Sequence, residues 1–274
     1  MRRLKWLLIG LLGTLASNSG ALELEGPKRQ GGLLNGQVAP GSAVRALGQT
    51  IPVDDQGRFL LGLGREAPAA VTVSVRGPAG ARRQRTIEVA QRDYAVQRID
   101  GLDGNQVSPD AETLERIRAD AAAVREARAA RLPQRYFDSG WIWPVTGPIS
   151  GVYGSQRILN GEPRQPHYGI DIARPTGTAV RAPADGVVTL AADALFFSGG
   201  TLILDHGRGL SSSFLHLSDI QVDVGERVDQ GATIAEVGAT GRVTGPHLDW
   251  RMNWMDQRID PSMLVPPMQE VRTE

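Results

Sequence analysis

The chain of 274 residues contains no cysteine. Disulfides, thiol catalysis, cysteine-ligated zinc and lipid attachment at a cysteine are excluded together. An oxidising compartment is not excluded, because a secreted protein need not use disulfides. Lysine occurs only at Lys5 and Lys28, so arginine supplies almost all of the positive charge. There is no charge excess either: the formal net charge is zero. Nor is there an apolar run long enough to span a bilayer comfortably, the stretch from Trp6 to Ala16 being too short. A multi-span membrane protein, a coiled coil and a chain disordered throughout are all excluded by composition.

The short apolar run has a second meaning. Arg2, Arg3 and Lys5 precede it, and Ser19-Gly20-Ala21 follows it with small residues where a signal peptidase inspects. Basic, apolar and small-residue segments in that order read as a secretory signal over residues 1–21, with a retained anchor as the rival. The leader holds three basic and no acidic residues, so the remaining chain is net −3. A mildly acidic protein gives little support to nucleic-acid binding.

Three stretches follow. Residues 22–103 are turn-rich, with β-type runs such as Phe59-Leu60-Leu61 and Val71-Thr72-Val73-Ser74-Val75, and contain no histidine. They predict a small sandwich-like β-domain with a structural or docking role. Residues 104–136 predict a helical connector. Ser108-Pro109-Asp110 offers an N-cap, a first-turn proline and an acid. Leu114, Ile117, Ala121, Val124 and Ala127 then form one apolar stripe to pack on a neighbouring domain. Residues 137–274 are glycine-rich and β-type, with strands expected at Val187–Leu190, Thr201–Leu204 and up to Phe214.

All four histidines, His167, His206, His216 and His247, fall in this last stretch. His167 and Asp171 stand four apart, able to converge if a turn or bulge bends the chain between them. His247 and Asp249 stand two apart, which on a strand puts both side chains on one face. His216 lies between them in sequence, at the end of an expected strand. Imidazoles and carboxylates without cysteine suit zinc, whose hydrolytic sites take three protein ligands and keep one position open. Taken singly, each histidine is better read as making a local hydrogen bond than as a ligand, since a lone histidine has many non-catalytic uses.

Together the motifs resemble a known family. Pro166-His-Tyr-Gly-Ile-Asp171, running on to Val188, is similar to the first signature of the lysostaphin-like (LytM-type, M23) zinc endopeptidases. Phe214-Leu-His-Leu-Ser218 resembles their central histidine motif, and Gly241-Arg-Val-Thr-Gly-Pro-His-Leu-Asp249 their last. The order, the spacing and the turn Val224-Gly-Glu-Arg-Val-Asp-Gln-Gly231 agree, and the resemblance covers most of residues 141–265.

The resemblance implies that His167 and Asp171 ligate zinc and that His216 and His247 are the catalytic imidazoles. The family's third ligand is a histidine, and here that position is Asp249. A second carboxylate still makes three ligands, but it cancels the charge of Zn²⁺ formally and leaves a weaker electrophile. His206, in Asp205-His206-Gly207, has a structural context and is not assigned to metal. Arg157, Arg164, Arg174 and Arg251 flank the motifs and could pair with substrate carboxylates.

The expectation is therefore a mainly β protein: a small N-terminal β-domain, a connecting helix and a C-terminal antiparallel peptidase domain of the lysostaphin-like, duplicated-hybrid-motif type. Its expected activity is zinc-dependent endopeptidase action on peptidoglycan stem peptides or cross-links, by a monomer in the periplasm. The alternative is a catalytically inactive peptidoglycan-binding regulator of another cell-wall hydrolase. A biotinyl or lipoyl carrier, suggested by the hairpin pattern of residues 186–238, fails because no acceptor lysine follows Lys28.

Overall fold

The computed structural model describes residues 22–99, 110–159 and 161–268. The expected signal segment and the helix start expected at Ser108-Pro109 lie outside the described residues. The chain is mainly β. Its first part holds β1 (Glu23–Glu25), β2 (Leu33–Gln37), β3 (Ala43–Ala46), β4 (Gln49–Ile51), β5 (Arg58–Gly62), β6 (Ala70–Arg76), β7 (Arg82–Glu88) and β8 (Val96–Ile99). One helix, α1 (Ala111–Ala129), follows. The last part holds β9 (Ile149–Gly151), β10 (Gln156–Leu159), β11 (Glu162–Pro163), β12 (Gly169–Ala173), β13 (Ala179–Arg181) and β14 (Gly186–Leu195). It continues with β15 (Gly199–Gly207), β16 (Leu210–Ile220), β17 (Arg227–Val228), β18 (Thr233–Val237), β19 (His247–Trp254) and β20 (Gln257–Ile259).

The first part makes two small antiparallel sheets, β1-β2-β5 and β4-β3-β6-β7. In β6, Val71, Val73 and Val75 point inward while Ala70, Thr72 and Arg76 are exposed, the alternation of a strand with one wet face. Strand β7 is an edge, and it carries Arg82, Arg83 and Arg85 where an unpaired apolar edge would invite aggregation. Strand β8 crosses over and pairs in parallel with β10, alongside β11.

The large sheet runs β17-β14-β15-β16-β19-β12-β9, with β13, β18 and β20 attached to it. Every residue of β15 is buried, as suits a central strand between two neighbours. Its hairpin to β16 turns on Arg208 and Gly209, whose φ angles of 56° and 77° mark the left-handed two-residue turn that fits twisted antiparallel strands.

The helix differs from the sequence expectation in two ways. Its N-cap is Asp110, whose carboxylate accepts the Thr113 amide at 2.8 Å. The apolar stripe is also barely used: Ala127 is the buried residue of the helix, and Leu114 is exposed. Polar contacts hold α1 instead. Arg116 donates to Ala194 O at 2.7 Å, Asp120 accepts the Phe196 amide at 2.7 Å, and Arg128 donates to Ser213 Oγ at 3.0 Å. Among the described residues no helix is long and apolar enough to cross a membrane.

One continuous apolar core runs through both parts of the chain. A Cβ added to Gly62 on β5 would lie 2.9 Å from the ring of Trp254 on β19, so only glycine allows this approach. Tyr153 donates its hydroxyl to Arg258 O at 2.7 Å, and the Asp260 amide donates to Gly31 O at 2.8 Å. Beside them the buried carboxylate of Asp260 pairs with Arg92 at 2.7 Å. Replacing Arg92 with alanine leaves that carboxylate without its countercharge. Equilibrium urea unfolding should show a loss of about 1–3 kcal/mol; an unchanged midpoint would mean that the ion pair does not help to hold the two parts together.

Candidate metal centre

Strands β12 and β19 pair antiparallel with Asp171 directly opposite Asp249, Gly169 opposite Arg251 and Ala173 opposite His247. Side chains two apart on a strand share a face. His247, Asp249 and Arg251 therefore line one face of β19, while Leu248, Trp250 and Met252 fill the core on the other. The same parity carries from Asp171 back to Gly169. His167 lies two residues before β12, outside the strand, and its ring nevertheless converges on Asp171. The register shift of β12 comes after Asp171, on the side of β9.

His167 Nε2 lies 3.2 Å from Asp171 Oδ1, and His247 Nε2 lies 3.9 Å from the same oxygen. Ligand atoms of His167, Asp171 and Asp249 all fall within 4.8 Å of one another. His167 Nε2 and Asp171 Oδ1 are buried, and apart from their contact with each other neither has a hydrogen-bond partner. Buried polar atoms are rarely left so, and a converging pair of them calls for an ion. Two glycines clear the space. A Cβ on Gly151 would sit 2.1 Å from Asp171 Oδ2, and one on Gly169 would sit 2.2 Å from Asp249 Oδ1. The donor set, one imidazole nitrogen and two carboxylates, fits a divalent cation of zinc's ligand preference.

The other two histidines stand against this cluster. His216 follows Leu215, which pairs with Asp249, so strict alternation would turn its side chain toward the core. Its φ of 66° breaks the alternation, a conformation rare for a residue with a Cβ and found where a site demands it. The ring then meets that of His247, centroid to centroid at 4.9 Å. His216 Nδ1 contacts Thr240 O at 2.9 Å, and His247 Nδ1 contacts Gly245 O at 2.9 Å. A carbonyl only accepts, so each Nδ1 carries a proton, and in the neutral form of either ring the lone pair is on Nε2. Thr240 is itself fixed: its hydroxyl accepts the Gly200 amide and donates to Leu217 O.

Charge is unevenly shared here. Burial works against a protonated His167, but its contact with Asp171 and the charges of Asp249 and Asp171 outweigh burial and raise its pKa. Burial dominates at His216 and lowers its pKa, although Thr240 and Asp249 oppose the shift. Asp249 is buried, which would raise its pKa, yet the charge and hydrogen bonds of Arg251 hold it below the ordinary carboxylate value. Arg251 donates Nε to both Asp249 oxygens at 3.0 Å and Nη2 to Oδ2 at 2.5 Å.

Arg251 was thus a candidate for substrate carboxylates and instead clasps a carboxylate of its own chain. Its place at i+2 from Asp249 was the signal that could have foretold this. Arg164 is exposed and Arg174 half-buried, and the Arg157 side chain lies outside the described residues. Thr240 and the space-making Gly151 carry no motif-level signal of their own, whereas Gly169 stands inside the first motif, between His167 and Asp171.

His206 is separate. It is fully buried, with Nδ1 at 2.6 Å from Asp185 O, Nε2 at 2.6 Å from Ser212 Oγ and the edge of Trp141 against its ring.

A β-sheet face carrying a nitrogen-and-carboxylate cluster with paired imidazoles beside it has the donor set that metal-dependent hydrolase sites use. Residues 165–261 match peptidase family M23, and the chain carries a domain of that family. It is 41% identical over 121 residues to the peptidoglycan DD-endopeptidase ShyA of Vibrio cholerae, covering 43% of this chain and 26% of that protein. It is 38% identical over 105 residues to the DD-carboxypeptidase/endopeptidase Mpg of Neisseria meningitidis, covering 38% of this chain and 24% of that one. The chain thus spans about a quarter of the length of these curated relatives. A Pseudomonas aeruginosa structure assigned to peptidase M23 superimposes with a TM-score of 0.68 at 29% identity, covering 86% of this chain and 94% of that one.

Burial lowers the His206 pKa to about 4, against the opposing pull of Asp185. The folded value lies below the unfolded value of about 6.5, so the fold favours the neutral ring. That stability is fully present above pH 6.5 and is lost as pH falls through 4, on the order of 3 kcal/mol. Urea midpoints measured across this window should decline in the wild type, with a shallower slope in His206→Gln. Equal slopes would mean that the ring is not held neutral by burial.

Proposed function

We propose that this chain is a zinc-dependent endopeptidase that hydrolyses peptide bonds in peptidoglycan stem peptides or cross-links. The observation that carries the reading is the convergence of His167, Asp171 and Asp249 beside two imidazoles, each held at Nδ1 by a backbone carbonyl. His167 Nε2 and one oxygen each of Asp171 and Asp249 would hold the ion. When bound, zinc supplies a Lewis acid that polarises a carbonyl and makes water a competent nucleophile at neutral pH.

The rest falls to the protein. One of His216 and His247 accepts the proton of the attacking water at Nε2, and later returns it to the leaving amine. The other, in its imidazolium form with a second proton taken from solvent at Nε2, donates a hydrogen bond to the oxygen on which negative charge develops. Thr240 O and Gly245 O fix both rings so that neither need reorient during the reaction. The substrate class follows from relatives named as peptidoglycan DD-endopeptidases. Such a substrate lies outside the cytoplasmic membrane, which agrees with the basic-apolar-small order of residues 1–21 and a periplasmic setting. In this reading residues 22–103 form a structural unit, residues 104–136 the connector and residues 137–274 the peptidase unit, acting as a monomer.

One observation favours a second reading. Both oxygens of Asp249 are already engaged by Arg251, as they would be in a metal-free module that binds peptidoglycan and regulates another cell-wall hydrolase. Metal content and hydrolysis measured on one purified sample decide between them. The endopeptidase reading expects near-stoichiometric zinc, muropeptide products and their loss on chelation. It expects His216→Ala or His247→Ala to lower the rate by roughly 10²–10⁴-fold while zinc content is kept, and Asp249→Ala to lose zinc. A sample that neither binds added zinc nor yields products overturns it in favour of the regulator.

A further inference from the structure

Two carboxylates directly opposite each other across an antiparallel pair repel, and here one of them is fully buried. Asp171 and Asp249 therefore need positive charge between or beside them even before any metal arrives. Arg251 supplies it through three contacts to Asp249. The guanidinium also has no other good place to go. Arg128 and Arg258 stand near it on its flank, each with its pKa lowered by burial and by neighbouring arginine charge, that of Arg128 to about 9. Glycine at position 169, opposite Arg251 on β12, leaves the room in which the arginine lies: a Cβ there would come within 2.8 Å of Arg251 Cγ. The arrangement thus holds Arg251 on Asp249 by attraction from one side and by like charge from the other.

This inference rests on the metal-centre reading above. We propose that Arg251 is the charge-balancing residue of that centre: it offsets Asp249 so that the ligand set carries one net negative charge rather than two. Asp249 and Arg251 together are electrically equivalent to a neutral third ligand. A bound divalent ion then keeps a net positive charge, which an uncompensated pair of carboxylates would cancel. The cost is affinity, because a fixed cation beside the site repels the incoming ion and competes for the same oxygens. Arg251 acts through Asp249 and touches no reacting atom, so it is a positioning residue.

The test is zinc affinity of the purified protein, measured by competition with a chromogenic chelator, for wild type, Arg251→Gln and Arg251→Lys. Arg251→Gln removes the charge and should bind zinc roughly tenfold tighter or more. Arg251→Lys keeps the charge without the planar fork and should fall between the two. Thermal melting reads the same balance without the chelator. In a metal-free buffer Arg251→Gln should melt below wild type, because the buried carboxylate has lost its countercharge. Saturating zinc should then raise its melting temperature by more than it raises that of wild type. Should Arg251→Gln not fold without metal, the affinity of Arg251→Lys and its zinc-induced melting shift carry the comparison. Equal zinc affinities in all three proteins, or weaker binding in the variants, would overturn the inference and leave the metal reading standing. Failure of all three to bind zinc would overturn both.

Discussion

Asp171 and Asp249 face each other across β12 and β19, and the site is organised around keeping that pair of charges together in a buried place. Left alone, two such carboxylates would protonate or push the strands apart. The neighbouring features answer this constraint. Gly151 and Gly169 give the carboxylates space, His167 sits within reach of Asp171, and Arg251 covers Asp249. Even the positive φ of His216 belongs to the same arrangement, since without it the ring would turn away from the acidic pair.

The sheet makes this possible because it is rigid where the site needs it. Trp250, Leu248 and Met252 alternate with the site residues along β19 and are fully buried. A slip of one residue would put tryptophan in the site and aspartate in the core, so the register is fixed by the hydrophobic pattern itself. The first part of the chain adds to the rigidity. Trp254 packs on Gly62 from β5, and Asp260, just beyond β20, is tied to Arg92 and Gly31. The helix contributes differently, through polar contacts to β14 and β16 and through Arg128, which adds positive charge close to Arg251.

Much of the fold and site was legible in the sequence. The mainly β character followed from short alternating runs such as Val71-Thr72-Val73-Ser74-Val75, and the large sheet from the glycine-rich β-type stretch after residue 137. The pairing of His247 with Asp249 on one face followed from strand parity. His167 and Asp171 were legible as a converging pair, and they do converge, with His167 standing just outside the strand that carries Asp171. The helix was legible in place, but its apolar stripe suggested tighter packing than it makes. Short alanines and a charged surface give the helix little to bury, so polar contacts decide its position. The arginines near the motifs were legible as a group, but not the one that matters, because a pairing between neighbours on a strand face depends on what stands across from it.

The sequence by itself determined the strand pattern, the separation of His206 from the other histidines by its local context, and the presence of an aspartate two residues after His247. These are local facts, set by residue type and by the two-residue period of a strand. Only the tertiary structure decided that Asp249 stands opposite Asp171, that Gly169 makes room for Arg251, and that Thr240 holds His216. Each of those depends on the register between strands far apart in the chain. That register is set by the packing of the whole core, which no single motif contains.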